Sequence, residues 1–351
     1  MKTLVCLVSR QVMANLIPIL SLNVEKVELL YTKEEKRSHE NLKRVLANTG
    51  LGFKVNEHLI DAYDFEGIQQ KCKKLIDANE DILLNTTGGT KVMAFAAFSV
   101  FTNHKKKIFY LDSFNNKAIR FNPYSVEEHR VKIPLDIMLA AHGYRIIENQ
   151  THEDMLTRKP LVDFLRRFYH QVAPALAQYR RFVFDKNYNF TPISVSELGF
   201  EINPLGQGKM NVRFINDYMD LDDPRYLDGF WLEELVYWLI RDKGWDDIRV
   251  GVSLTYEGSE QETDPLNEID VMGIKNGKLY LFSCKSGITK DKKDVFELEA
   301  LRSLAGGTFG KAFFVTSTPV SREKHLYERC KELKIEMFDH RSFLQLKKLK
   351  F

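Results

Sequence analysis

Along residues 1–122, short runs rich in β-branched and apolar side chains alternate with stretches whose apolar positions recur every three or four residues. The runs are "TLVCLVS", "NVEKVELLYT", "GFKVNEHLI", "EDILLNTT" and "KKIFYLDS", and "KEEKRSHENLKRVLA" is one of the stretches between them. The first pattern marks strands and the second amphipathic helices. Their alternation predicts a parallel sheet covered on both faces, with any ligand at the carboxyl ends of the strands. From residue 123 to 160 the pattern lapses into "NPYSVEEHRVKIPLD" and "ENQTHEDMLTRKP", polar and proline-punctuated, which places a domain junction there. "LVDFLRRFYHQVAPALA" reads as a helix, followed by irregular strand-like pieces through "GKMNVRFIND". A strong amphipathic helix, "GFWLEELVYWLIRDKG", then leads into strands "DDIRVGVSLTY", "NEIDVMGIK" and "KLYLFSCKS", helix "DVFELEALRSLAG", strand "KAFFVTS" and helix "SREKHLYERCKEL". This is a second α/β unit of a different kind, and no internal repeat or low-complexity tract accompanies it.

Composition changes the picture little. A chain of 351 residues, 44% of them hydrophobic, has enough apolar material for two cores. The formal net charge of +3 announces no overall affinity for nucleic acid, so such a site would be a local patch. Cys6, Cys72, Cys284 and Cys330 are widely spaced and suggest neither a zinc site nor a disulfide framework. The apolar run in "MKTLVCLVSR" is too short for a signal peptide, and no run is long enough for a membrane span. A cytoplasmic protein is expected.

Chemistry is concentrated in two places. "DILLNTTGGTKVMAFAAF" is a buried strand entering Thr86, Thr87, Gly88 and Gly89, with a helix starting near Thr90. Two glycines there let a ligand approach the backbone, the helix amides favour phosphate, and Lys91 adds a positive charge. The spacing is not that of a Walker loop, and "LVSRQVMANL" after the first strand has no glycine, which argues against a dinucleotide dehydrogenase. Ser9, Arg10, Gln11 and Asn15 instead suit hydrogen bonds to a base or ribose, with Asp112 on the same rim. Taken alone, each is an ordinary cap or turn residue.

The segments "LVSRQVMANL" and "NTTGGTKVMAFAAF" resemble the two signature segments of the CRISPR-associated Rossmann-fold (CARF) sensor domains, over about residues 1–140. The resemblance implies a homodimer that binds cyclic oligoadenylate across its interface, with Ser9, Gln11, Asn15, Thr87, Gly88, Gly89, Thr90 and Lys91 as ligand contacts. Arg10 is a lesser member of that set.

The second place is "NEIDVMGIKNGKLYLFSCKSG", residues 267–287. Strand alternation puts Ser283 and Lys285 on one face, and "KNG" supplies a tight turn, so Asp270 and Lys285 can meet. An acid-bound divalent cation beside a lysine is the equipment of phosphodiester hydrolysis. The upstream helix offers Glu233 and Glu234, a pair that in general is as consistent with a solvated face. The run Gly229-x-x-Leu232-Glu233-x-x-Val236 is similar to the opening helix of Mrr-like restriction nucleases, which favours Glu233 as the inward acid. Helical acid, then Asp, then a strand ending in Lys resembles the PD-(D/E)xK nuclease fold, with residues 225–351 as its core and 141–224 as connector and start of the effector domain. The departure is Ser283, where that motif has a second acid.

Together the two resemblances imply an N-terminal Rossmann-like domain with a parallel sheet and a C-terminal restriction-endonuclease-like α/β domain. They are similar to ancillary effectors of type III CRISPR systems that cut single-stranded RNA or DNA once cyclic tetra-adenylate is bound. The metal, Mn²⁺ or Mg²⁺, would sit on Asp270, Glu233 and the Cys284 carbonyl, with Glu268 as a possible substitute for the missing acid; catalysis would fall to Asp270, Lys285, Glu233 and Glu268. Ser283 keeps open the alternative of a nucleic-acid-binding protein with an inactive nuclease fold. A nucleotide-using metabolic enzyme is a third, weaker reading. Tyr256 and Phe309 could stack bases, and "KDKKD" at 290–294 could attract phosphate, though packing and a solvated loop explain them as well.

Overall fold

In the computed structural model, residues 1–186, 188–257, 267–287, 293–305, 310–319, 321 and 324–351 are described. Phe309 and residues 290–292 of the lysine cluster lie outside them.

The first domain alternates β1 (Thr3–Leu7), α1 (Met13–Ser21), β2 (Lys26–Tyr31), α2 (Lys36–Asn48), β3 (Lys54–Leu59), α3 (Phe65–Ala78), β4 (Ile82–Asn85), α4 (Lys91–Asn103) and β5 (Lys107–Asp112). A hairpin, β6 (Lys117–Phe121) and β7 (Ser125–Glu128), completes it. The strand order is β3-β2-β1-β4-β5-β6-β7. The first five strands in this order run parallel; β6 and β7 are added antiparallel, so the sheet is mostly rather than wholly parallel. β1 is flanked by β2 and β4, which makes its carboxyl end a switch point where crossovers leave in opposite directions and a crevice opens.

The region without periodicity is more structured than its sequence suggests. It holds α5 (Leu135–Ala141), β8 (Tyr144–Glu148) and α6 (His152–Phe184). α6 starts well before the helix expected at "LVDFLRR": Thr151 caps it by accepting from the Asp154 amide at 3.2 Å, and Pro160 falls inside it. Pro160 and Pro174 obscure the helical signal, and the backbone departs from helix at Phe168. A four-stranded antiparallel sheet follows, with β9 (Ile193–Val195), β10 (Phe200–Gly206), β11 (Lys209–Phe214) and β12 (Asp217–Leu221).

After a π-helical turn at Tyr226–Phe230 come α7 (Trp231–Ile240), β13 (Asp247–Tyr256), β14 (Asn267–Lys275), β15 (Lys278–Lys285), α8 (Lys293–Ala305), β16 (Lys311–Thr316), α9 (Lys324–Glu332) and β17 (Glu336–Asp339). Their sheet has the order β17-β16-β15-β14-β13-β8, parallel over β15–β17 and antiparallel elsewhere. β8, which follows directly on the first domain, is thus an edge strand of the second.

One apolar cluster runs from Leu16, Ile17 and Leu42 through Leu135 and Leu139 into Ile274, Leu279, Leu298 and Phe314, joining the domains through a shared core. A second cluster packs α3 and α4 on the first sheet, and a third packs α6, α7 and the small sheet on the second. Among the described residues, no helix is long and apolar enough to cross a membrane.

Candidate functional site

At the switch point of the first sheet, the chain uses most of its polar groups on itself. Asn85 Nδ2 donates to Ala14 O and Asn15 Oδ1, both at 2.9 Å, and Asn85 Oδ1 accepts from the Thr87 amide at 3.1 Å. Asn15, fully buried, donates to Leu7 O at 2.8 Å. Thr87 Oγ1 accepts from the Leu111 amide at 2.8 Å, which ties the ends of β1, β4 and β5 together. A Cβ on Gly88 would lie 2.4 Å from Leu7 O and one on Gly89 2.7 Å from Leu7 Cβ, so both glycines are demanded by the close approach of this turn to β1. Gly89 also has φ +81°.

The cleft above this turn has a volume of about 1030 Å³ and is lined by Ser9, Arg10, Gln11, Thr87 and Gly89, with Asp112 on the far rim. Asn15 and Gly88 lie beneath it as framework. Thr90 caps α4 by accepting from the Met93 amide at 3.2 Å and donates to Ala62 O at 3.2 Å; Lys91, exposed, is also outside the lining. Arg37, Asn41 and His142, from α2 and the end of α5, also face the cleft. Sequence reasoning missed them because they are remote from the two strand-end segments and carry no local pattern. Three more lining residues, Gly277, Lys278 and Ser303, come from the second domain.

In the second sheet the β14–β15 ladder ends at Val271–Phe282, and the strands part beyond it. Asp270 sits in that fork, where its Oδ2 accepts from the Cys284 amide at 2.5 Å and its carboxyl also takes a hydrogen bond from Ser283. Burial pushes the Asp270 carboxyl up to about 6, against the pull of Lys285 and the Cys284 amide. Glu233 enters from α7, buried; desolvation and then Asp270 and Glu268 hold its carboxyl well above the ordinary range. The Lys285 ammonium is disfavoured by burial, but Asp270 and Asp294 more than offset this and keep it charged, with Nζ 3.5 Å from Asp294 Oδ1.

The two helix glutamates have different environments, and neither forms a solvated face. Glu234 is buried and accepts from Arg158 Nε at 2.7 Å and from the Tyr226 hydroxyl at 2.8 Å, an internal clamp between α6, the π-turn and α7. Glu233, in contrast, faces Asp270 and Lys285. The Cys284 thiol is buried and pushed up by desolvation and by both acids. Glu268, exposed, lines a cleft of about 340 Å³ with Asp270, Ser283, Lys285 and, from α8, Asp294 and Glu297. Those last two were not anticipated; their position just beyond β15 on the facing helix was the available signal.

Among the described residues, no three histidine, cysteine or acidic side chains converge tightly enough to enclose a metal ion. The donor chemistry nevertheless suits a hard divalent cation. Asp270 and Glu233 are carboxylates whose pKa values are raised first by desolvation, with Asp270 and Glu268 adding to the rise at Glu233 and Glu268 to that at Asp270; a dication would relieve this repulsion while accepting water or a carbonyl as further ligands.

A switch-point crevice on one sheet and an acid-lysine fork on another define a ligand-binding Rossmann-like domain joined to a nuclease. Residues 3–140 match the family model of the Card1 CARF domain and residues 220–349 that of the Card1-like endonuclease domain, so the chain belongs to the CARF-domain endonucleases of the Card1 type. Among solved structures, it is similar to Can2 from Sulfobacillus thermosulfidooxidans in complex with cyclic tetra-adenylate, at 21% identity and a TM-score of 0.80, covering 99% of this chain and 98% of that one. It is similar to protein VC1899 from Vibrio cholerae at 18% identity and a TM-score of 0.79, covering 99% and 96%. A type III CRISPR defence DNA nuclease activated by cyclic oligoadenylate matches at 19% identity and a TM-score of 0.58, with 90% of this chain aligned to 45% of that one. No curated protein matches the chain.

Proposed function

We propose that this chain is a metal-dependent endonuclease of type III CRISPR defence, cytoplasmic and homodimeric, that cuts single-stranded RNA or DNA once cyclic oligoadenylate, foremost cyclic tetra-adenylate, is bound. The observation that carries the reading is the pairing, on one chain, of a Card1-type CARF domain whose switch point opens into a cleft with a Card1-like endonuclease domain holding Asp270, Glu233 and Lys285 in one fork. It is supported by the cyclic tetra-adenylate bound to Can2 and by the cyclic oligoadenylate activation of the third relative. Exposed Tyr63, Phe65 and Phe95 on the CARF domain support a dimer, because large aromatics left in water favour a partner surface.

In this reading, Ser9, Gln11, Thr87 and Gly89 face the ligand; Asn15, Gly88 and Thr90 shape the turn beneath; Lys91 adds its charge from the outer side. A Mn²⁺ or Mg²⁺ ion would be held by Asp270 and Glu233, with Glu268, water or the Cys284 carbonyl completing the shell. When bound, it supplies Lewis-acid stabilisation of charge on the scissile phosphate. The chain's own part is to orient Asp270 through Ser283 and the Cys284 amide, and to present Lys285, kept charged by Asp270 and Asp294, to the developing negative charge.

The test is incubation with single-stranded RNA, single-stranded DNA and plasmid in Mn²⁺, with and without cyclic tetra-adenylate. Ligand-stimulated cleavage lost in Asp270→Ala is the expected result; no cleavage of any substrate overturns it. A second reading, a ligand-responsive binder with an inactive fork, is favoured by Ser283 and by the lack of a closed three-acid group among the described residues. It predicts binding without turnover in the same assay.

A further inference from the structure

Lys278 belongs to the endonuclease domain by sequence and by sheet, yet it lines the CARF cleft with Ser9, Arg10 and Thr87. It is delivered there by the β14–β15 turn, in which Asn276 and Gly277, at φ 50° and 70°, close the Lys275–Lys278 pair. The turn is held from both sides. The Asn276 amide donates to Asp246 Oδ2 at 2.7 Å within the endonuclease domain. On the other side Gly277 is pressed to α1 so closely that a Cβ would lie 2.6 Å from Ile17 Cδ1. Lys278 Nζ donates to Phe114 O at 2.9 Å, in the β5–β6 turn of the CARF domain. That acceptor is a neutral carbonyl. Among the described residues the ammonium makes no ion pair within bonding distance: Asp112 on the same rim attracts it from further off, Lys311 repels it, and the Phe114 ring lies 6.0 Å from Nζ, so the positive charge at the cleft has no directly bonded anion. A phosphodiester oxygen is a stronger partner for an ammonium than a carbonyl is.

From these contacts we infer that Lys278 is a phosphate contact of the CARF cleft, so that an anionic cyclic oligonucleotide bridges the sensor and the endonuclease of the same chain. The inference rests on the function proposed above. Its consequence follows from the sheet: the strand that begins at Lys278 ends at Lys285, and its partner carries Asp270. Seven residues of strand span about 23 Å. One hairpin therefore touches the ligand with its turn and the fork with its open end, and a ligand that pulls on Lys278 acts on the strands that carry the reactive groups. Coupling of this kind requires a difference in ligand contact between the two arrangements of the hairpin, which exchange of Phe114 O for a phosphate oxygen supplies.

The experiment uses the full chain and cyclic tetra-adenylate itself, with binding followed by titration calorimetry at two salt concentrations. Lys278→Gln is expected to weaken binding about tenfold or more and to flatten its salt dependence, whereas Lys278→Arg retains most of the affinity. Lys105→Gln, in the loop before β5 at the opposite rim of the sheet, serves as the charge-matched control and is expected to bind as the parent does. Matching melting temperatures of Lys278→Gln and Lys278→Arg separate loss of contact from loss of fold. A parent chain that does not bind cyclic tetra-adenylate overturns the proposed function and this inference together. A parent that binds, with Lys278→Gln binding equally well, overturns this inference alone.

Discussion

At the end of β4, Asn85, Asn15 and Thr87 commit their polar atoms to one another and to Leu7, Ala14 and Leu111, while Gly88 and Gly89 let two backbones nearly touch. At the open end of β14 and β15, the carboxyls of Asp270 and Glu233 are instead desolvated and their pKa values stay raised even though Lys285 pulls on both. The first site is made from satisfied hydrogen bonds and missing side chains, and is complete without a ligand. The second stores electrostatic strain that a cation would discharge. A rim that must hold and release a ligand gains from being preformed; a fork that must recruit a metal gains from being uncomfortable without one.

The contrast can be broken most decisively at the fork. Asp270→Asn and Lys285→Ala are expected to lower cleavage on the order of 10³-fold, while cyclic tetra-adenylate binding, measured by calorimetry, stays at the parental value. A joint loss of both would erase the division of labour. Next in size, Glu234→Ala leaves a void beneath the half-buried Arg158 and the buried Tyr226 hydroxyl without its acceptor and should cost about 2 kcal/mol in denaturant unfolding. Glu233→Gln, on the same helix, removes repulsion and should leave the metal-free protein as stable or more so, though inactive. Gly88→Ala forces a methyl group against a backbone carbonyl and should cost about 1–3 kcal/mol together with loss of ligand affinity.

A smaller effect concerns pH. The Asp270 carboxyl titrates at about 6 in the fold against 3.8 outside it, so the metal-free fold is favoured by the bound proton. That contribution is full below 3.8 and is lost as pH rises through 6. Thermal scans without metal should show stability declining across this window, with Mn²⁺ restoring it at neutral pH and Asp270→Asn making the decline shallower, the remainder coming from Glu233, whose carboxyl is also raised. Mn²⁺ affinity should fall about tenfold per pH unit below the titration, since the ion must displace the proton. Smallest of all, Ser283→Glu puts an acid back beside Asp270 and Lys285 and should raise Mn²⁺ affinity a few-fold; an unchanged affinity would show that another group, Asp294 or Glu297 of α8, already serves.

The alternating runs of residues 1–122 made the Rossmann-like order legible, because parallel strands buried on both faces leave continuous apolar stretches that little else produces. The Asn276–Gly277 turn and the strand alternation around Lys285 were legible for the same local reason. α6 was not, since prolines at 160 and 174 mask its period and its apolar side is spread among α7, the small sheet and the core. Glu233 could be favoured over Glu234 by resemblance, but that Glu234 is itself buried as an internal clamp depended on Arg158, 76 residues away in sequence. Arg37, His142 and Lys278 reach the cleft only because three separate elements meet there. Such meetings are set by tertiary packing, and no spacing rule reports them.

Residues 135–148, at the end of the CARF match and the start of the stretch that precedes the endonuclease match, matter to anyone who would recombine the two. α5 buries Leu135, Met138 and Leu139 in the shared core and hands Asp136 to Arg249 of the endonuclease, and β8, a few residues on, closes the edge of the endonuclease sheet against β13. A chimera that ended the receptor before residue 135 and began the effector after residue 148 would therefore join a receptor lacking its last contacts to an effector with a bare sheet edge, a surface that invites polymerisation. Residues 135–148 behave as a hinge leaf screwed to both doors, and swapping either door means carrying the leaf along with it.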